Sequence, residues 1–345
     1  MDLINILNTI HENASATYQA RIPAATQTNL EEIQTAMVAD DNVMVANEFM
    51  STLLNKLVKS VIHTKRFTNP LKSLKKGKKP LGDTIEEVYN NFIKGQQYNP
   101  LATAEDLMKR TLPDTKTVYH RTNHRMKYPV SVSREELTRA FSSWDALEKY
   151  INDIIEQLYN SAELDEFANM KQLLKIAMEN GAMKKVKIPD PLLSEENAKE
   201  FIKTVKTVSG LMQFPNSDFN AYLTAQDKDT EPIITFSRKS EQVLIIDTAT
   251  DTGVAVDVLA STFNMSVADF NDTRKIVIDT FPIPTVRAAL IDEAFIQAYD
   301  DLFLFKSFDN PVGIYQNYWL HIWQTIAYSI LVNAVLFDTA DPDAV

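Results

Sequence analysis

The 345-residue chain carries seven glycines and no cysteine. Its glycines form no G-x-G pair for a dinucleotide-binding turn and no G-x-S-x-G nucleophile elbow, and without cysteine it cannot be a thiol protease, a thiol redox enzyme, a Cys-ligated zinc protein or a disulfide scaffold. Apolar residues make up 45%, ordinary for a globular chain, while a net charge of −11 argues against nucleic-acid binding over the whole surface, since that affinity comes from phosphate neutralisation by Lys and Arg.

The first basic residue is Arg21, so the positive start of a secretory signal is missing. Residues 1–39 mix short apolar stretches with Asn, Thr and Gln and read as an arm that finds order only against another surface. Over 40–63, Val43, Ala46, Met50, Leu53, Leu57 and Val61 recur at helical spacing, with Asp40 and Asp41 where a helix dipole favours anions. Lys65, Arg66, Lys72, Lys75, Lys76, Lys78 and Lys79 follow with no acid before Asp83, and Pro70, Gly77, Pro80 and Gly82 make this stretch a loop. Residues 84–92 and 115–132 read as extended, with a short helix over 102–110 between them.

The strongest helical pattern covers 144–180, with Leu147, Ile151, Ile154, Leu158, Phe167, Met170, Leu174 and Met178 on one face. Ser142 and Asp145 fit a capping box, and Gly181 fits the residue just past the end. A second helix starts at Ser194, Glu195 and Glu196 and ends near Gly210. Strands at 243–247 and 275–279 flank a short helix over 257–263, and Pro282 and Pro284 close that region. Residues 310–337 hold no Asp, Glu, Lys or Arg, enough length to span a membrane. Asn310, Gln316, Asn317, His321, Gln324 and Asn333 interrupt them, which tells against insertion. As a strand, this stretch would carry Tyr315, Asn317, Trp319, His321, Trp323 and Thr325 on one face and Tyr318, Leu320, Ile322 and Ile326 on the other; a buried helix is the competing reading.

Chemistry-bearing patterns are few. His120 and His124 have zinc-protease spacing, but Arg121 stands next to the first, the segment is strand-like, and Lys116, Arg125 and Lys127 would oppose a cation. Gly77 to Gly82 has P-loop spacing, yet Asp83 stands where the phosphate-binding lysine belongs. Glu163, Asp165 and Glu166 form one carboxylate cluster and Asp300 with Asp301 another, with no sequence feature to join them. The basic run over 65–79 suits either acidic regions of neighbouring subunits or phosphates, and the acidic remainder of the chain favours the first.

The run Asn69-Pro70-Leu71-Lys72, Lys75-Lys76-Gly77, Pro80-Leu81-Gly82, Thr84-Ile85-Glu86-Glu87 and Tyr89 resembles a signature of the major capsid protein of short-tailed phages of the Picovirinae and Salasmaviridae type. Further resemblance lies in Tyr159-Asn160-Ser161-Ala162-Glu163 with Asp165 and Glu166, in Asp257-Val258-Leu259-Ala260 with Phe263-Asn264-Met265, in Trp323-Gln324-Thr325 and in Asn333-Ala334-Val335. It implies an α+β, Hong Kong 97-type phage capsid fold. Residues 1–62 would be an N-terminal arm and helix, and 63–133 an extended E-loop lying across a neighbour. Residues 134–210 and 281–345 would form the peripheral domain with a spine helix over 144–180, and 211–280 the axial domain. Some members carry an immunoglobulin-like domain after this core, which is not expected here.

The implied role is a virion protein, made in the host cytoplasm, that self-assembles into hexamers and pentamers of an icosahedral or prolate head. Its partners would be copies of itself, a scaffolding protein, a portal or connector, and double-stranded DNA touched non-specifically on the inner face, with no membrane. No catalytic, cofactor-binding or metal-binding residue is expected. An encapsulin-like compartment shell is the nearest alternative and a carboxylate-dependent hydrolase a remote one.

Overall fold

The computed structural model describes residues 3–38, 45, 48–49, 52, 67–79, 84–93, 95, 97, 108–110, 112–222, 232–257, 274–310, 312–313 and 315–340. Most of the helix expected over 40–63, nearly all of the one over 102–110, the one over 257–263, Lys65, Arg66 and Gly82 lie outside these residues. In chain order the helices are α1 (Leu3–Asn13), α2 (Ala16–Arg21), α3 (Leu30–Val38), α4 (Arg134–Ala140), α5 (Trp144–Glu179), α6 (Glu195–Leu211) and α7 (Thr248–Asp257). The strands are β1 (Thr84–Asn90), β2 (Thr115–Arg121), β3 (His124–Ser133), β4 (Lys184–Lys187), β5 (Gln242–Asp247), β6 (Arg274–Ile278), β7 (Val286–Asp292), β8 (Ile296–Asn310), β9 (Tyr315–Tyr328) and β10 (Ala334–Asp338).

The chain forms two compact units. The first takes residues 1–69, 124–166 and 300–324, and the second takes 70–123, 167–299 and 325–345. Helix α5 has 36 residues, about 54 Å at 1.5 Å per residue, and contributes to both.

In the first unit, β9 lies between β3 and β8. Tyr318 and Leu320 of β9 and Val132 of β3 are buried with Leu147, Ile154 and Leu158 of α5. Ile6, Leu7, Ile10, Tyr18, Ile33 and Met37 join that core, so the arm folds as three short helices against its own unit. Asn8 fixes this fold-back by exchanging hydrogen bonds with the backbone of Ala25, at 3.1 and 2.7 Å. The side chain of Ile151 lies outside the described residues. Ser143, rather than Ser142, caps α5, its hydroxyl accepting from the Ala146 N–H at 3.2 Å. The capping-box spacing misses by one residue because the chain turns through 141–143 before the helix begins.

The second unit is built on a five-stranded sheet of order β4-β10-β7-β5-β6. Its outer pairs β10/β4 and β5/β6 are parallel and its inner pairs antiparallel. Both faces are covered, so β5 and β10 are continuously buried instead of alternating. Val243, Ile245, Ala289 and Leu336 pack with Met170, Leu173, Leu174 and Ala177 of α5, and Phe167 packs at the edge of that cluster. Leu244, Ile246, Leu290 and Phe337 face Phe201, Ile202, Val205 and Val208 of α6 on the other side. Ser194 caps α6 by accepting from the Asn197 N–H at 3.2 Å. Gly253 lies inside α7, where an added Cβ would stand 3.3 Å from Leu192 Cδ2.

Helix α5 ends in a Schellman motif. Ala182 N–H donates to the Ala177 carbonyl at 2.8 Å and Gly181 N–H to that of Met178 at 3.2 Å, with Gly181 at φ 66°. A side chain in that left-handed conformation costs about 1–2 kcal/mol, so Gly181→Ala is expected to lower the urea midpoint of the purified subunit without changing its far-UV spectrum; an unchanged midpoint would contradict this account.

Asp190 pairs with Arg287 of β7 at 2.8 Å. Burial raises the Asp190 carboxyl, but the Arg287 hydrogen bonds and the Leu192 N–H outweigh it and leave the group below its ordinary value. A lowered carboxyl stabilises the fold above the ordinary carboxylate range and loses that contribution as pH falls through its folded value. Arg287→Met should therefore be less stable than wild type at neutral pH, with the gap closing in acid; a gap independent of pH would refute the pairing.

Candidate functional site

Strands β1 and β2 pair from Thr84↔Arg121 to Asn90↔Thr115 as a two-stranded hairpin. Alternate residues face the rest of the second unit, to which the hairpin belongs and is fastened by polar contacts. Glu87 accepts from the Ser329 hydroxyl at 2.5 Å and lies 3.0 Å from His120 Nε2. Tyr89 OH donates to the Ile234 carbonyl. Asn91 Nδ2 donates to the Pro232 carbonyl at 3.1 Å, while its Oδ1 accepts from the Ile234 N–H at 3.2 Å. The other face is exposed and mixed, with Thr84, Glu86, Thr117 and Arg121 beside Val88 and Tyr119, while the segment beyond the Asn90/Thr115 end exposes Phe92, Ile93, Met108 and Leu112, Phe92 lying 6.3 Å from Phe236 between ring centroids.

The basic run leads into this hairpin. A 3-10 turn, Pro70–Leu74, buries Leu71 and Leu74 and leaves Lys72 exposed. Lys76 Nζ donates to the Glu293 carbonyl at 3.1 Å and Lys79 Nζ to Thr122 Oγ1 at 3.1 Å, so these two lysines are engaged within the chain. Lys75 is half-buried and Lys78 exposed. Gly77 stands at φ 89°, a value that favours glycine.

In the first unit the two carboxylate clusters meet through one amide. Gln324 Nε2 donates to Glu166 Oε2 at 2.6 Å and to Asp300 Oδ1 at 3.1 Å. Glu166 Oε1 accepts from Asn69 Nδ2 at 3.1 Å, and Glu163 accepts from the Asn69 N–H at 3.3 Å. Asp165 accepts from Tyr128 OH at 3.0 Å. Asn69, Glu166 and Gln324 are all buried. Burial lowers the nearby His124, against the opposing pull of Asp165 and Glu166. The described donors to Glu166 are amides, whose protons stay in place, so these bonds fix position.

A second buried network occupies the other unit. Asn333 accepts from Thr235 Oγ1 at 2.5 Å and donates to Ser237 Oγ at 3.2 Å, and Ser237 donates to Asp292 at 2.6 Å. Asn220 Nδ2 donates to Thr235 Oγ1 at 3.0 Å. Burial pushes the Asp292 carboxyl up, against the bonds from Ser237 and the Ala294 N–H.

His120 lies on β2 beside Glu87 and His124 opens β3, so the zinc-protease spacing falls on strands and not on one helix. Among the described residues no group of three or more His, Cys, Asp or Glu could hold a metal ion, and no helix is long and apolar enough to cross a membrane. Residues 315–328 are a strand, so the helical reading of that stretch fails. Gln324 and Asn333, which interrupt the uncharged stretch, anchor the two polar networks. Their signal was an amide inside an otherwise apolar run. No hydropathy or charge pattern marked Asn69, which stands only at the head of the family-like run and whose partners are 94 and 97 positions away.

A chain from the capsid structure of Staphylococcus phage Andhra superposes with a TM-score of 0.66 at 14% identity, covering 82% of this chain and 87% of that one. The fold is thus the Hong Kong 97-type capsid fold. The Phi29-like phage major capsid protein family model matches residues 7–338. The major capsid protein of Bacillus phage PZA is 34% identical over 341 residues, covering 99% of this chain and 74% of that protein. That of Bacillus phage B103 is 32% identical over 339 residues, covering 98% and 73%. The chain belongs to the Phi29-like major capsid protein family, and it is a structural protein of the phage head and a component of the virion.

The Glu166 network predicts coupling. Removing a hydrogen bond to a buried charge costs about 1.5–3 kcal/mol, so Gln324→Leu should lose about that much. Combining it with Glu166→Leu should cost less than the two singles together by about 1 kcal/mol or more. A urea double-mutant cycle measures this, and strictly additive losses would show that the residues do not act as one network.

Proposed function

We propose that copies of this chain associate into hexamers and pentamers that close a head around a scaffolding protein, and that double-stranded DNA then enters through a portal or connector and contacts the inner face without sequence preference. The chain acts as a building unit with no catalytic step of its own. Residues 63–133 serve as the E-loop and 1–62 as the N-terminal arm; 134–210 and 281–345 form the peripheral domain and 211–280 the axial domain. The observation that carries this reading is the hairpin. Glu87, Tyr89 and Asn91 tie it to its own unit, the last two near the Asn90/Thr115 end, where Phe92 lies beside Phe236 and Ile93, Met108 and Leu112 are exposed. An exposed apolar segment fixed in place by its own unit is suited to a pocket on the next copy, because the fastening removes much of the ordering cost of docking.

Lys72 and Lys78, exposed on the segment that leads into the hairpin, would add charge complementarity to an acidic neighbour, with Lys65, Arg66 and Lys75 as further cations of the same run. Lys76 and Lys79 contribute by holding the segment in place.

Ile93→Ser together with Leu112→Ser should leave the subunit folded, with wild-type far-UV spectrum and melting, yet abolish closed particles in negative-stain images of the head-assembly reaction. Lys72→Gln with Lys78→Gln should reduce particle yield. Normal yield from both variants would overturn the docking role, and normal particles that retain less DNA would move the lysines to a phosphate-contacting role.

A further inference from the structure

We propose that the open face of the β3-β9-β8 sheet is a contact surface for an acid-bearing region of a second copy of this chain, an inference that rests on the shell-building reading above. One side of this sheet is turned to the core, where Tyr318 stacks on Phe305 with ring centroids 5.6 Å apart. The other side is set by the register. Arg125 lies opposite Trp323, Lys127 opposite His321, Pro129 opposite Trp319 and Ser131 opposite Asn317. The Arg125 guanidinium rests 4.8 Å from the centroid of the Trp323 ring, which confirms that the two share this face. Alternation from Phe305 puts Leu304, Lys306 and Phe308 of β8 on it as well, and all three are exposed.

Residues 124–133, 304–308 and 315–323 contain no Asp or Glu, in a chain with 46 acidic and 35 basic residues. Within these windows the cations have no carboxylate beside them, Asp300, Asp301 and Asp309 of β8 lying outside, while the chain as a whole is acidic, which is complementarity between one copy and another. Trp and Arg on a strand face are also the residue types enriched where proteins meet. A duplex fits less well. It carries about one negative charge per 1.7 Å, and Arg125, Lys127 and Lys306 are too few to match that density over the length of the sheet. The open face covers on the order of 400 Å² at the usual strand spacings, below the roughly 800 Å² per partner of a free-standing complex. It therefore works as one of several contacts in a closed shell, and does not dimerise the free subunit.

The test is hydroxyl-radical footprinting of the free subunit, DNA-filled heads and emptied heads, reading Trp319 and Trp323 by mass spectrometry. Both should oxidise several-fold more slowly in filled and in emptied heads than in the free subunit. Equal rates in heads and subunit would overturn the proposal, as would protection that disappears on emptying, which would make nucleic acid the occupant. Heads that contain the chain uphold its shell-building role under either of these results, so the two readings fail separately. As a second measurement, Arg125→Glu with Lys127→Glu should fold normally by far-UV spectrum and melting but lower head yield several-fold; unchanged yield would count against the contact.

Discussion

Glu166 places a carboxylate out of water midway along a 36-residue helix. Leaving such a group without partners costs several kcal/mol, far more than one apolar residue at the same position would contribute. The cost is met by donors from remote parts of the chain: Asn69 from the segment ahead of the 3-10 turn, and Gln324 from β9. Gln324 also reaches Asp300, and Asn69 also holds Glu163. The helix, the segment and the strand can satisfy Glu166 in only one mutual register. Apolar packing tolerates small slips, whereas a buried charge with two amide donors does not, so the polar network selects one arrangement among those the core would allow.

The other unit uses the same device. Asn333, Thr235, Ser237, Asp292 and Asn220 are buried and joined by hydrogen bonds, and the raised Asp292 carboxyl shows that burial outweighs its partners. By linkage, protonating Asp292 relieves part of that cost, so its contribution to stability improves as pH falls from above its folded value toward its ordinary one. Asp190 works in the opposite sense. The hairpin is held by the same kind of bond, through Glu87, Ser329 and His120. Directional bonds along the hairpin fix its position on its unit, which matters for a subunit whose contacts must close a shell.

Much of this was legible in the sequence where a pattern repeats over many residues. The helix over 144–180 and the alternation over 315–323 follow from spacing alone, because each period samples burial many times. The short helices α1, α2 and α3 read only as an arm that finds order against another surface, since six to eleven residues carry too few turns to display a face. α7 was missed for a related reason: TATDTGVAVD has three Thr and a Gly, poor helix formers by propensity, and burial of Thr250 and Val254 decides the matter. The apolar face of α5 reads as one stripe, yet Leu147, Ile154 and Leu158 feed one core and Met170 and Leu174 another. No periodicity could reveal that division. No sequence feature joins the acids between the two sets to Asp300, and only the partners of Glu166, which are far away in sequence, bring them together.

Charge and assembly can now be put on the same footing. A subunit with a net charge of −11 repels its copies, and screening over about 8–10 Å at moderate salt softens this without removing it where surfaces touch. The positive charge available to offset it is not spread evenly. Arg125, Lys127 and Lys306 lie on stretches without acids, and Lys72 and Lys78 are exposed on the segment leading to the hairpin. Local attraction at such places is enough to orient an approaching copy, whereas a uniformly neutral surface would permit association in any orientation. Each contact can then be weak on its own. A copy already held at one place meets its remaining contacts at high effective concentration, so the closed shell is stable while a misdirected pair separates.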